Sequence, residues 1–185
     1  MTYFCVSLAN DFIGSNDVLI KHRPVIRKIK DYIFTTFAFP LAFDVASMFW
    51  SLFLFDRDLV APKEWDPIFP VWLNHFIHTD IVVFISIELF ILHRHYPSMK
   101  YSLTGLFFFV LMYIGWIHVV YFETDQWVYP IVETLNWIER IGFYGLCLII
   151  PTTFYFLGKF LNNLLWSENR VARIIREKRE ESYEI

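Results

Sequence analysis

Apolar residues in this chain run in long blocks rather than in the alternation or single-face stripes of a soluble fold. A helix that crosses the hydrocarbon core of a bilayer takes about 20 consecutive, mostly apolar residues. Four stretches fit that template: 31–55, bounded by Lys30 and Asp56; 69–92, ending at His93-Arg94-His95; the uninterrupted 101–122; and 141–158, followed by Lys159. A fifth, residues 1–14, is helix-compatible but at ~1.5 Å per residue supplies about two thirds of a crossing. The pattern predicts an all-α, multi-pass transmembrane helix bundle over residues 1–166, with five spans of which the first is cut short, and a charged tail over 167–185.

The connections alternate in charge. Lys21, Arg23, Arg27, Lys28 and Lys30 crowd the first, Arg94 and Lys100 mark the third, and Arg170, Arg173, Arg176, Lys178 and Arg179 fill the tail. By the positive-inside rule these sides are cytosolic. The second connection (Asp56, Arg57, Asp58, Lys63, Glu64, Asp66) and the fourth (Glu123, Asp125) then face the lumen or the outside. This is the expected layout of a protein of the endomembrane system or plasma membrane with a cytosolic C-terminal tail. Five crossings put Met1 on the lumenal half; one more helix ahead of it would make six and return the N-terminus to the cytosol. The tail mixes Glu and Arg at helical spacing, as a solvated helix does, and its final Tyr-Glu-Ile has the form of a PDZ ligand. Between the last two spans, Trp127, Tyr129 and Trp137 flank Pro130 and Glu133, which predicts a short interfacial or re-entrant helix over one mouth of the bundle.

Composition sharpens this picture without changing it. With 56% hydrophobic and 19% charged residues the chain is too apolar for a soluble domain of its size, and the 21 phenylalanines suit lipid-facing surfaces. A net charge of -3, with the basic residues explained by topology, gives no reason to expect nucleic acid. Cys5 and Cys147 lie in apolar runs and read as small buried hydrophobes rather than a disulfide. The first residues lack the basic start and the cleavage site of a removable signal peptide.

Polar residues at membrane depth cost at least about 2.5 kcal/mol each, so each needs a partner or a purpose. At 100° per residue from Asn74, His78 falls at about 40° and Glu88 at about -40°, one stripe expected to face the bundle interior. His75 sits on its shoulder and Asp80 well off it. Asn74 and His78 are four residues apart, so the amide is a candidate for orienting the imidazole. Asn10, Asp11, Asp44 with Ser47, and His118 read first as interhelical packing groups, and Glu139 with Arg140 as a pair at the start of the last span. His75 and His78 lack a third ligand at metal-site spacing, so no metal is expected. A haem between His78 and His118 is a separate reading that composition leaves open.

Several strings together resemble a known family: Ala38-Phe39-Pro40, Phe49-Trp50, Asp56-Arg57, Pro70-Val71-Trp72-Leu73-Asn74-His75 through His78-Thr79, Tyr96-Pro97-Ser98, Trp127-Val128-Tyr129-Pro130, and Leu161-Asn162-Asn163 with Trp166. In order and spacing they are similar to the androgen-induced and androgen-dependent TFPI-regulating protein family of multi-pass membrane hydrolases. The resemblance implies six spans in a full member and hydrolysis of fatty acid esters of hydroxy fatty acids by a threonine nucleophile with a histidine base. No cofactor is expected. The family's histidine, the second of Asn-His-x-x-His, is His78. Its threonine opens a span, which Met1-Thr2-Tyr3 matches, with Gly14 at the family's later glycine; Thr2 is then the nucleophile. Two departures stand out: members of the family carry a whole transmembrane helix ahead of the threonine, which this sequence does not include, and Asp125 stands where the family usually has a glycine. By helical rise from the span ends, both Thr2 and His78 are expected near the midplane. The partners expected are a lipid ester and the bilayer, with protein partners left open. A catalytically silent membrane protein that binds lipid or a partner is the alternative.

Overall fold

The computed structural model describes residues 1–17 and 22–167, together with 172 and 176. Its helices in chain order are α1 Thr2–Ile13, α2 Val25–Phe55, α3 Val71–Ile91, α4 Met99–Thr124, α5 Pro130–Thr134 and α6 Trp137–Leu165, and no strand occurs among the described residues. Four of them, α2, α3, α4 and α6, are long and apolar enough to cross a membrane. The 12-residue α1 rises only about 18 Å, short of a crossing. The chain is therefore a multi-pass membrane protein built as a helix bundle. The helix expected in the tail lies outside the described residues, apart from 167, 172 and 176.

Helices extend beyond the apolar runs because their polar ends find partners. α2 starts at Val25, six residues ahead of the apolar boundary, since Arg27, Lys30 and Asp31 are 4%, 1% and 2% exposed rather than solvated. α6 starts at Trp137 behind a capping box. There Asn136 Oδ1 accepts from the amides of Ile138 and Glu139, and Glu139 accepts the Asn136 amide. Glu139 and Arg140 are not each other's partners. Arg140 instead donates to the Val132 carbonyl at 2.8 Å and lies over the rings of Trp127 and Trp137. It thereby pins α5, the short helix expected between the last spans, whose Pro130 opens it and whose Ile131 and Val132 are buried.

Two of the long helices contain a π turn. In α2 it covers Phe34–Ala38, where the Phe39 amide donates to the Phe34 carbonyl, directly ahead of Pro40. Proline has no amide and its ring crowds the preceding turn, so the wider turn absorbs the misfit without ending the helix. In α3 it covers Phe76–Asp80, contains no proline, and carries His78.

α2 is the centre of the bundle: α1, α3 and α6 pack along it, and α4 lies on α6 and on the π turn of α2. Tyr3, Phe34, Phe39, Ala42, Ile85 and Leu89 form the core cluster. α6 comes close enough there that a Cβ on Gly158 would fall 2.6 Å from the Phe39 ring. The outer faces carry exposed Phe12, Phe84, Phe108, Trp116, Ile149 and Phe160, surfaces suited to lipid and not to water.

Candidate functional site

A partly open, mainly apolar cavity of about 480 Å³ lies between α2, α4 and α6, with Ile131 of α5 over it. That is the size of a site for one small or lipid-like ligand. Leu41, Met48 and Leu52 of α2 and Phe109 and Ile114 of α4 supply apolar wall, while Asp44, His78, Tyr113, Tyr129, Tyr144 and Cys147 bring polar atoms. His78 reaches this wall from α3 because its ring stacks flat on Phe49, with centroids 3.7 Å apart and an interplanar angle of 5°. Its Nδ1 is buried and has no hydrogen-bond partner. An imidazole held by one face with an uncommitted nitrogen has what a general base needs: a fixed orientation and a free lone pair or proton.

Asn74 does not orient it. The two residues are four apart, but the π turn at Phe76–Asp80 intervenes, and an i→i+5 turn breaks the i,i+4 alignment that a regular helix would give. Phe49 takes the positioning role, which no spacing rule on α3 could reveal. His75 is exposed, packs against Trp50 with centroids 4.9 Å apart, and bonds Thr79 at 3.2 Å. His118 has both nitrogens engaged, Nδ1 with the Ile114 carbonyl at 2.8 Å and Nε2 with the Tyr144 hydroxyl at 3.3 Å. It is tied into the packing of α4 on α6, with nothing aimed at His78. Ser47 bonds the backbone carbonyl of Asp44 within its own helix, and Oδ1 of Asp44 is buried without a partner, so the interhelical bond expected of this pair does not form among the described residues.

Glu88 faces inward, as the stripe requires, but toward the opposite end of the bundle. Its Oε2 accepts from the Tyr3 hydroxyl at 2.7 Å and pairs with Arg94. Thr2 is exposed at the start of α1, one residue from Tyr3, whose ring lies 5.2 Å from that of Phe34. Glu88 lies ten residues beyond His78, about 15 Å along α3, and Phe34 lies fifteen residues before Phe49, about 22 Å along α2. α1 thus begins beside the Arg94 end of the bundle, and none of its residues lines the cavity. The structure brings His78 to the cavity and leaves Thr2 away from it. Equal depth would require α1 and α3 to be level from their own span ends, but α2, against which α1 packs, begins six residues ahead of its apolar run.

At the Arg94 end lies a polar cluster that the sequence did not announce. Arg94 is 1% exposed. Its guanidinium pairs with Glu88, donates to the Tyr3 hydroxyl at 2.7 Å, lies 4.2 Å from the Phe34 ring centroid, and stands 3.9 Å from Asp31. Its backbone amide and carbonyl exchange bonds of 3.1 Å each with the side chain of Asn162 on α6. Lys30 donates to Asn16 at 2.7 Å, and Asn16 also accepts from the fully buried Asn10. Read as boundary charges, Arg27, Lys30 and Arg94 are instead the interior fastening of α1, α2, α3 and α6. Beside them, burial first, and then the charges of Arg27, His95, Arg23 and Arg94, hold the His93 imidazole below its ordinary pKa.

The sequence pattern of FAR-17a/AIG1-like proteins matches residues 1–163. The chain belongs to that family. It is 36% identical over 150 residues to the human androgen-induced gene 1 protein, covering 81% of this chain and 63% of the relative. It is 40% identical over 144 residues to the human androgen-dependent TFPI-regulating protein, covering 78% and 63%. A membrane protein of Schizosaccharomyces pombe is 27% identical over 124 residues, covering 66% of this chain and 56% of the relative. The chain thus spans about 63% of the length of the two human relatives. No solved structure matches.

Proposed function

We propose that this member of the FAR-17a/AIG1-like family is an intramembrane hydrolase of fatty acid esters of hydroxy fatty acids, with His78 as its general base. The observation that carries the reading is the imidazole itself: stacked on Phe49, unpaired at Nδ1, and forming part of the wall of an apolar cavity of about 480 Å³. A lipid ester fits such a wall, and the uncommitted imidazole is the group of that wall suited to act as base on it. In the reaction the base takes a proton from the attacking oxygen, which bonds to the carbonyl carbon. The ester C–O bond then breaks, and the leaving alkoxide receives the proton from the imidazolium.

The nucleophile has two readings. Thr2 follows from the resemblance, and its exposed hydroxyl is available; it would form an acyl-enzyme that water then cleaves, with His78 serving both steps. Direct attack by a water activated at His78 is favoured by the offset of about 15 Å between the level of Glu88, beside which α1 begins, and His78. The test is release of hydroxy fatty acid from the ester by membranes bearing the chain, against membranes without it, followed by mass spectrometry. Hydrolysis above the background supports the reading, and none refutes it. A loss of about 100-fold on Thr2→Ala, with an acyl group on Thr2 in the unmutated chain, assigns the threonine; full activity in Thr2→Ala assigns water.

A further inference from the structure

The cavity has a second uncommitted polar group. Asp44 forms part of the same wall as His78, and its Oδ1 is buried with no hydrogen-bond partner. Leaving a carboxyl oxygen unpaired in an apolar interior is costly, and native structures seldom do so without a reason. Asp44 follows Pro40 by one helical turn on α2, and Ser47, the nearest hydroxyl on its own helix, is occupied with the Asp44 backbone. The other polar groups of the wall are the Tyr113, Tyr129 and Tyr144 hydroxyls and the Cys147 thiol.

We propose that Asp44 is a specificity-determining residue that accepts a hydrogen bond from the hydroxyl of a long-chain lipid bound in this cavity. In either protonation state a carboxyl group offers an acceptor oxygen, so it rewards a donor on the ligand. When ionised it repels a ligand carboxylate, which disfavours the head of a free fatty acid at this spot. An ammonium head is also a donor, but bringing that charge to membrane depth is costly, whereas a hydroxyl arrives neutral. The proposal rests on the reading of the cavity as the hydrolase site to this extent: the alcohol released on hydrolysis is a ligand of the class Asp44 would hold.

The test is equilibrium binding to the full chain in nanodiscs, using two radiolabelled probes, the methyl esters of stearic acid and of 12-hydroxystearic acid. Methyl esters remove the carboxylate from the comparison. The hydroxylated probe should bind about tenfold tighter, the order expected for a hydrogen bond to a carboxylate in an apolar site. In Asp44→Leu the two affinities should differ less than twofold, and in the isosteric Asp44→Asn the ratio should fall between. The ratio within one protein reads out the contact independently of how much of a variant folds. Equal binding of both probes by the unmutated chain overturns the proposal, as does a tenfold preference that survives Asp44→Leu. A long-chain amine that binds tighter than the hydroxylated ester, with the difference lost in Asp44→Leu, replaces the hydroxyl with a cation and also overturns it. Equal binding of both probes by an unmutated chain that still hydrolyses the ester removes Asp44 and leaves His78 standing; a preference lost in Asp44→Leu, in a chain that hydrolyses nothing, does the reverse.

Discussion

Arg94 illustrates how a single side chain can carry a membrane bundle's energetics. Its guanidinium is enclosed by Glu88, Asp31, Tyr3 and Phe34, and its backbone by Asn162. Removing one partner of a buried ion pair leaves the other charge unpaired, which costs about 3–5 kcal/mol. Arg94→Met should therefore lower the unfolding midpoint in detergent strongly, and Arg94→Met with Glu88→Gln should recover part of the loss; a single variant as stable as the unmutated chain would show the cluster to be incidental. His78 presents the contrasting case, a ring held by stacking with a nitrogen left over. Its placement was legible in the sequence as an inward polar position, but its support was not, because Phe49 belongs to another helix and is one aromatic among many. Arg94 was misread for a related reason: a basic residue after an apolar run looks like a solvated topology marker until its carboxylate partners, 6 and 63 residues away in sequence, are placed beside it.

At the scale of elements, the long helices owe their form to what interrupts them. Pro40 is tolerated in the middle of α2 because the π turn at Phe34–Ala38 precedes it, and that same region presents Phe34 and Phe39 to the core. Phe39 in turn lies against α6 where only a hydrogen occupies the Cβ position of Gly158. Since Phe39 is 1% exposed, it has no room to yield. Gly158→Ala should cost about 1–3 kcal/mol by overpacking, read as a lower midpoint in the same unfolding assay. A neutral outcome would mean that α2 and α6 separate more easily than their packing suggests. The existence and number of the long helices followed directly from hydropathy. Their ends did not, because helix ends are decided by caps such as Asn136 with Glu139 and by buried pairs, which an apolar count ignores. The π turns were equally hidden, and the one in α3 undid the expected link between Asn74 and His78.

For the whole molecule, the two ends of the bundle differ in character. One holds an apolar cavity under α5, and the other a charged interior fastening that includes α1 and the segment after α3. His93 lies at the charged end with its imidazole held neutral below the ordinary pKa by burial and nearby cations. The unfolded chain takes up a proton at this residue below pH ~6.5, so the unfolded state binds more protons there and is favoured as pH falls. The contribution is intact above that value and is lost as pH drops from it toward the folded-state value. Unfolding midpoints should thus be lower at pH 5.5 than at pH 7.5, and His93→Gln should flatten the difference; an unchanged slope in the variant would assign it elsewhere.

The role of His78 is tested most directly by the rate of hydroxy fatty acid release from the ester by membranes bearing the full chain, compared between the unmutated protein and His78→Gln at matched folded amounts. A general base accounts for roughly 10²–10⁴ in rate, so the variant should fall by about 100-fold or more. Turnover in His78→Gln equal to that of the unmutated chain would contradict the assignment of the cavity imidazole as the base.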